Sequence, residues 1–339
     1  MEKEMKPTIK GKLLFDSLED RALLLYAMRN FKDAVEYAHS LMRKGVRDGE
    51  IVKLLTSRIL NNKWYSVSAL KRAKLYRDQP YLKLRRPQLF SVGSRDEGGN
   101  RNIKLDATDT VRIKIPSASG RHRWITAKAQ FSKKHLPIIQ ELVNVRTSYG
   151  AGIYLKNGRF EIHVNVPLEL YVKHMRKKTR AKVADHFAGF DFNPDRICMV
   201  IIDRKGIIRD IKSERFPEVT SHGYPRDKAG AVRQEALAKL VKYARDHGAR
   251  YYVIERLSRP KPKGSKSARR KISKMALRQF TQQMEVLVPK VGGVLVKVNP
   301  AYSSVSAKIV AEDLGLDVHM ASAYIIALRG MKKIQKDTE

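Results

Sequence analysis

Cysteine is almost missing from this chain: among 339 residues only Cys198 carries a thiol. A disulfide framework is thereby excluded, as is a four-cysteine zinc site built within the chain. Long apolar runs are missing too, since none approaches the ~18–20 residues that span a bilayer. The opening MEKEMKPTIKGK has no apolar stretch of the kind a secretory signal needs. These absences predict a soluble, cytoplasmic protein with no membrane partner. Acidic residues are scarce, with 34 Asp and Glu against 69 Lys and Arg, a formal net charge of +35. A surplus of that size opposes compaction by self-repulsion and serves no purpose in a small-molecule enzyme. Its natural partner is a polyanion whose counterions are released when Lys and Arg neutralise phosphates. Charge defines the partner class and leaves the chemistry open, because a basic structural RNA-binding protein would share it.

What is present divides along the chain. Hydrophobic residues make up 42%, enough for a real core. Thr8 to Phe15 is a short apolar segment, and a proline-free helical zone follows from Leu18 to Leu75 with Leu23, Ala27, Ala34, Ala38 and Leu41 near helical spacing. From Tyr81 to about Leu170 the period becomes two: Val111, Ile113 and Ile115 alternate with Arg112 and Lys114, and Phe160, Ile162, Val164 and Val166 with Arg159, Glu161, His163 and Asn165. Gly98-Gly99-Asn100 and Asn157-Gly158 mark turns between antiparallel strands. A basic linker, Tyr171 to Arg180, then gives way to strands at His186–Phe190, Ile197–Asp203, Ala249–Ile254 and Gly293–Val298 and helices at Ala231–His247, Met275–Val288 and Val318–Met331. That order predicts a mixed α/β layer.

Acidic or metal-capable side chains stand at privileged places in this second half. Asp191 ends one predicted strand, Glu255 ends another, and Asp317 and His319 stand where the last helix begins. Side chains at neighbouring strand ends and an adjoining helix start can converge, and converged carboxylates hold Mg²⁺, which prefers oxygen ligands and bridges to phosphate. Two such ions about 4 Å apart stabilise both the attacking and the leaving oxygen of a phosphodiester displacement. Each residue also has a plainer role: Asp191 as the polar start of an Asp-Phe-Asn-Pro-Asp turn, with Asp195 competing as a ligand, and Asp317 as a helix N-cap. The third ligand stays open between Asp317, the better Mg²⁺ donor, and His319. The loop from Arg259 to Lys274 carries eight basic residues (Arg259, Lys261, Lys263, Lys266, Arg269, Arg270, Lys271 and Lys274) and no acid. Together with Lys177, Lys178 and Arg180 it is the expected grip on a nucleic-acid backbone, positioning without specifying sequence.

The segments Gly189-Phe-Asp-Phe-Asn-Pro-Asp-Arg, Val253-Ile-Glu-Arg-Leu257 and Asn299-Pro-Ala-Tyr-Ser-Ser with Asp317-Val-His-Met-Ala-Ser-Ala resemble the three RuvC motifs of the TnpB (OrfB) proteins of small insertion sequences, relatives of type V CRISPR effectors. The resemblance covers roughly residues 185–331; the N-terminal half resembles the family's wedge and recognition domains in order only. It implies a ribonuclease H-like (RuvC) domain at 181–335, preceded by a β-rich wedge domain at 1–17 and 81–180 with a helical recognition domain at 18–80 inserted. It also implies a guide RNA derived from the transposon end, double-stranded target DNA, two Mg²⁺ ions for which Mn²⁺ can substitute, and metal-dependent DNA cleavage with Asp191 and Glu255 as ligands. Two departures stand out. No zinc ribbon can be built with Cys198 alone, and the third motif has His319 before its alanines where the family commonly has Asp-x-Asn-Ala-Ala. A nuclease-inactive RNA-guided DNA-binding protein and a protein-only RuvC-type resolvase are the competing expectations.

Overall fold

The computed structural model describes residues 6–94, 96, 99–116, 122–145, 147–176, 184–256, 277–301 and 303–337. They form two compact units, Met1–His174 and Met175–Glu339.

In the first unit, β1 (Thr8–Leu14) alternates exposed and buried residues, with Ile9 and Leu13 inward. The Ser17 hydroxyl then caps α1 (Leu18–Arg43), accepting from the amide of Asp20 at 3.2 Å. Leu24, Met28, Phe31, Val35 and Ala38 make its buried stripe. α2 (Asp48–Leu55) runs into a π turn at Thr56–Leu60, and Asn62 caps α3 (Lys63–Ala73) by accepting from the amides of Trp64 and Tyr65. The strands follow: β2 (Gln88–Ser91), the short pair β3 (Gly93–Ser94) and β4 (Gly99–Asn100), β5 (Ile103–Leu105), β6 (Thr110–Ile115) and β7 (Arg123–Phe131). α4 (Leu136–Val145) precedes β8 (Gly150–Lys156) and β9 (Arg159–Asn165), and α5 (Leu168–Met175) closes the unit. The seven-stranded sheet has the order β2-β8-β9-β1-β7-β6-β5 with every neighbouring pair antiparallel. Asn157 and Gly158, at φ 50° and 73°, join β8 to β9, the left-handed pair that a type I′ hairpin requires.

Two elements of this unit differ from the sequence expectation. α4 was hidden inside a zone of period two, although Ile138, Ile139 and Leu142 give it a buried helical stripe. The start of the expected basic linker, Tyr171 to Met175, is the end of α5, because Leu168, Tyr171, Val172 and Met175 recur at helical spacing.

The second unit begins with β10 (His186–Phe192), β11 (Arg196–Ile202) and β12 (Ile208–Arg215), an antiparallel meander. α6 (Arg226–Asp246) leads to β13 (Ala249–Glu255), and α7 (Leu277–Lys290) to β14 (Val294–Val298). Both strands run parallel to β10, giving the order β12-β11-β10-β13-β14. α8 (Ser303–Leu314) and α9 (Val318–Lys336) end the chain. The sheet is covered on both faces, which explains why β11 reads as an unbroken apolar run. Phe190, Met199, Ile201, Tyr252 and Ile254 pack with Leu237, Leu240, Phe280 and Met284 on one side. Phe187, Cys198, Val200, Val253 and Val296 pack with Ala323, Ile326 and Ala327 of α9 on the other.

Gly189 in β10 allows α9 to lie close. A Cβ there would stand 2.2 Å from the carbonyl oxygen of Ala323 and 2.5 Å from the amide nitrogen of Ala327. Ala323 and Ala327 thus pack on the sheet. Ala321 instead meets Ala307 and Ala311 of α8, a helix absent from the sequence expectation.

Candidate active site

Register brings the two strand-end carboxylates together. Gly189 pairs with Val253 across the parallel β10–β13 ladder. Two residues further along each strand stand Asp191 and Glu255, on neighbouring strands about 4.8 Å apart. The alternation that turns Phe187 and Val253 toward α9 turns both carboxylates to that same face. Asp191 also pairs with Cys198 across the antiparallel β10–β11 ladder.

The first turns of α9 complete the surroundings of Asp191. Its Oδ2 accepts from Asn193 Nδ2 at 2.6 Å and is bonded to His319 Nδ1 at 3.1 Å, while its Oδ1 accepts from Ser322 Oγ at 3.3 Å. Asp191 is mostly buried and His319 stands 40% exposed, so the pair opens to solvent on the imidazole side. Asp317 is the N-cap of α9, with Oδ1 accepting from the His319 amide at 2.9 Å. Its plainer role is therefore realised, while its charge still bears on His319 and on Cys198. Asp195 is held by Arg196 through Nε and Nη2, each at 3.3 Å.

Ser322 and Asn193 were not singled out in the sequence. Ser322 lies three residues after His319 on the same helical face, the spacing at which helical side chains act together. Asn193 lies two residues after Asp191, where an amide can fold back on the preceding carboxylate. Lys177, Lys178, Arg180 and the basic positions Arg259, Lys261, Lys263, Lys266, Arg269, Arg270, Lys271 and Lys274 lie outside the described residues.

Electrostatics follow the geometry. The bond to Asp191 raises the His319 pKa above its ordinary value against the opposing cost of burial, and the charges of Asp191 and Asp317 add to the rise. Burial first, then the charges of Asp191 and Asp317, push the Cys198 thiol up to about 12, which leaves it protonated and unreactive at neutral pH. A raised folded-state value means that the stabilisation from protonated His319 is fully present below the unfolded value of about 6.5 and is lost as pH rises through the folded one. NMR titration of the metal-free protein is expected to place His319 above an exposed histidine, and Asp191→Asn to bring it back down. An unchanged titration in that variant would show that Asp191 is not the source of the shift.

The donor set suits a hard divalent cation: two carboxylates on adjacent strand ends, with remaining positions for water and phosphate oxygens. Among the described residues, no three His, Cys, Asp or Glu side chains are arranged to hold an ion together. His319 is bonded to a candidate ligand, with Nε2 as its second ring nitrogen. An imidazole whose Nδ1–H meets a carboxylate is a common arrangement around protein-bound metals.

The profile of the family described as the SSO2105 N-terminal domain matches residues 7–176. The uncharacterized protein SSO2105 of Saccharolobus solfataricus is 33% identical over 350 residues, covering 96% of this chain and 92% of the relative. The chain belongs to the SSO2105 family. An uncharacterized protein of Aeropyrum pernix is 25% identical over 264 residues, 70% of each chain. Among solved structures, this SSO2105-family protein is similar to Thermus thermophilus RuvC in complex with a Holliday junction substrate. That match has a TM-score of 0.32 and 14% identity, and covers 44% of this chain and 96% of RuvC. A second Thermus thermophilus RuvC structure matches with a TM-score of 0.28 over the same shares. No helix among the described residues is long and apolar enough to cross a membrane.

Proposed function

We propose that the second unit is a divalent-metal-dependent nuclease with a ribonuclease H-like, RuvC-type fold. On this proposal the whole chain is an RNA-guided DNA endonuclease of the TnpB kind. One observation carries the nuclease reading: Asp191 and Glu255 each stand two residues beyond the Gly189–Val253 pair, at the ends of adjacent parallel strands, and Asp191 is bonded to His319 and Ser322 at the start of α9. The strand order, an antiparallel meander followed by two parallel strands, supports it. The charge of +35 and the motif resemblance support a nucleic-acid substrate and a guide.

Asp191 and Glu255 would hold the metal, which when bound would supply positive charge at the phosphodiester undergoing displacement. Asn193 and Ser322 fix the rotamer of Asp191 by donating to both of its oxygens. When His319 is protonated, its charge offsets that of Asp191, to which it is bonded. The basic segments 177–180 and 259–274 are assigned the backbone grip.

Two measurements test the proposal. Sequencing of RNA that co-purifies with the protein from its native locus is expected to find one dominant species overlapping the gene's 3′ end. Cleavage of matching double-stranded DNA should then require both that RNA and Mg²⁺ or Mn²⁺. A diffuse host RNA population would sink the guided reading, and Mg²⁺-dependent cutting of branched DNA by RNA-free protein would replace it with a resolvase. Absence of cutting on every substrate, with the protein folded, would remove the nuclease reading itself.

A further inference from the structure

At the third parallel strand, the rim that carries Asp191 and Glu255 changes sign. Val298, which pairs with Glu255 across β13–β14, borders a cavity of about 440 Å³ lined also by Arg256, Lys297, Asn299, Ala301, Arg329 and Lys333. Four of these side chains are cationic, and none of the described lining residues is acidic.

The cations come from three separate elements and are held differently. Arg329, on α9, donates Nη1 to the carbonyl of Asn299 and Nη2 to that of Ala301, both at 2.8 Å. These bonds fix its guanidinium plane against the chain leaving β14. Lys297 is paired with Glu285 of α7 at 2.8 Å. Lys333, one turn beyond Arg329, donates to the carbonyl of Lys297 at 3.3 Å. Arg256 directly follows Glu255 and is exposed. A fixed guanidinium flanked by two exposed, extendable cations suits an anion with several acceptor oxygens, and a phosphodiester is the form a polyanion presents.

The geometry points to a phosphate subsite in this cavity, bound by Arg256, Arg329 and Lys333, that receives the backbone of the nucleic-acid strand presented to Asp191 and Glu255. The inference rests on the proposed nuclease reading for the identity of the strand, and it adds the direction in which that strand leaves the carboxylates. One strand spacing separates β14 from β13, about 4.8 Å, so the phosphate held here belongs to a nucleotide close to the one at the carboxylates.

The test uses the full chain in EDTA, so that no cleavage takes place, with a fluorescein-labelled oligodeoxythymidylate as the probe. Affinity is measured by anisotropy over a range of salt for wild type, for the double variant R256Q/K333Q, and for the control K239Q/K242Q. The control removes the same charge from exposed positions of α6. Removing one cation that neutralises a phosphate of a single strand lowers the salt slope by about 0.7, so R256Q/K333Q is expected to lower it by about 1.4. The control should leave the slope near that of wild type. Equal decreases in the two variants would reduce the effect to bulk charge and overturn the subsite, as would an unchanged slope in both. Circular dichroism checks that each variant is folded, and R256Q alone, at an exposed position, provides a second variant with an expected decrease of about 0.7. The assay contains no metal, so failure of the nuclease reading would appear in the cleavage assays and failure of the subsite would appear here.

Discussion

Asp191→Asn is expected to lower Mg²⁺-dependent cleavage by more than about 100-fold, because losing even an outer partner of a metal site costs about 10–100-fold. The substitution keeps the shape of the side chain and can still accept from Asn193 or Ser322, so the fold is expected to survive. What disappears is the anionic oxygen bonded to His319, which on the nuclease reading is also offered to a cation. Oligonucleotide affinity in EDTA should hold or rise slightly, since on the same reading a negative charge has left a surface that meets phosphates. Glu255→Gln should show the same division between cutting and binding. Cleavage at the wild-type rate by Asp191→Asn would remove Asp191 from the metal site, and the nuclease reading would lose its carrying observation. Loss of binding together with cutting would instead point to misfolding, which thermal unfolding would detect.

Gly189→Ala is expected to be the most damaging small substitution in the second unit. The added methyl would meet main-chain atoms of α9 at 2.2 and 2.5 Å, and main chain cannot swing aside as the end of a long side chain can. Overpacking of a well-filled core costs typically about 1–3 kcal/mol, and rigid neighbours place this case at about 3 kcal/mol or above. For a unit of this size that corresponds to a fall in Tm of about 6–12 °C. The helix that must retreat is the one holding His319 and Ser322 to Asp191, so the raised His319 titration should fall with the Tm. Gly230→Ala is the control: the nearest atom to its Cβ is the amide nitrogen of Gln279, at 3.3 Å. That side chain can give way, and alanine favours the helix by up to about 1 kcal/mol. Equal falls in Tm for the two variants would refute the close approach of α9 at Gly189.

The contrast between what the sequence disclosed and what it hid follows from how far each signal reaches. β10, β11 and β13 were legible because their apolar runs are local and end in a charge. α6 and α9 were legible by their periodic stripes. Asp191 and Glu255 stood out because each ends a predicted strand, and for Glu255 because a carboxylate after four apolar residues is costly without a partner. α4 and α8 were not legible, the first because it is short and lies among strands, the second because its buried face is largely alanine. The surroundings of Asp191 were legible only in part. The role of Asp317 as an N-cap is a local property, whereas the bond from His319 spans 128 residues and that from Ser322 spans 131. The basic cavity could not be read at all, because Arg256, Lys297, Arg329 and Lys333 are assembled from the segment after one strand, a second strand and a helix.

The position of β1 in the middle of its sheet governs the order in which the first unit can assemble. β1 pairs with β7 on one side and β9 on the other, yet the whole of α1, α2 and α3 intervenes before either partner is made. During synthesis the helices can form early from their own neighbours, while the first strand waits without a partner until residues beyond 120 and then beyond 159 arrive. Pairings of such long sequence separation are slow to close, and an unpaired strand is a template for unwanted association. Lys10 and Lys12, on the exposed positions of β1, set charge along that waiting edge, a standard protection against pairing with another chain. Positive charge on β1 thus acts during synthesis, as a guard on the nascent chain.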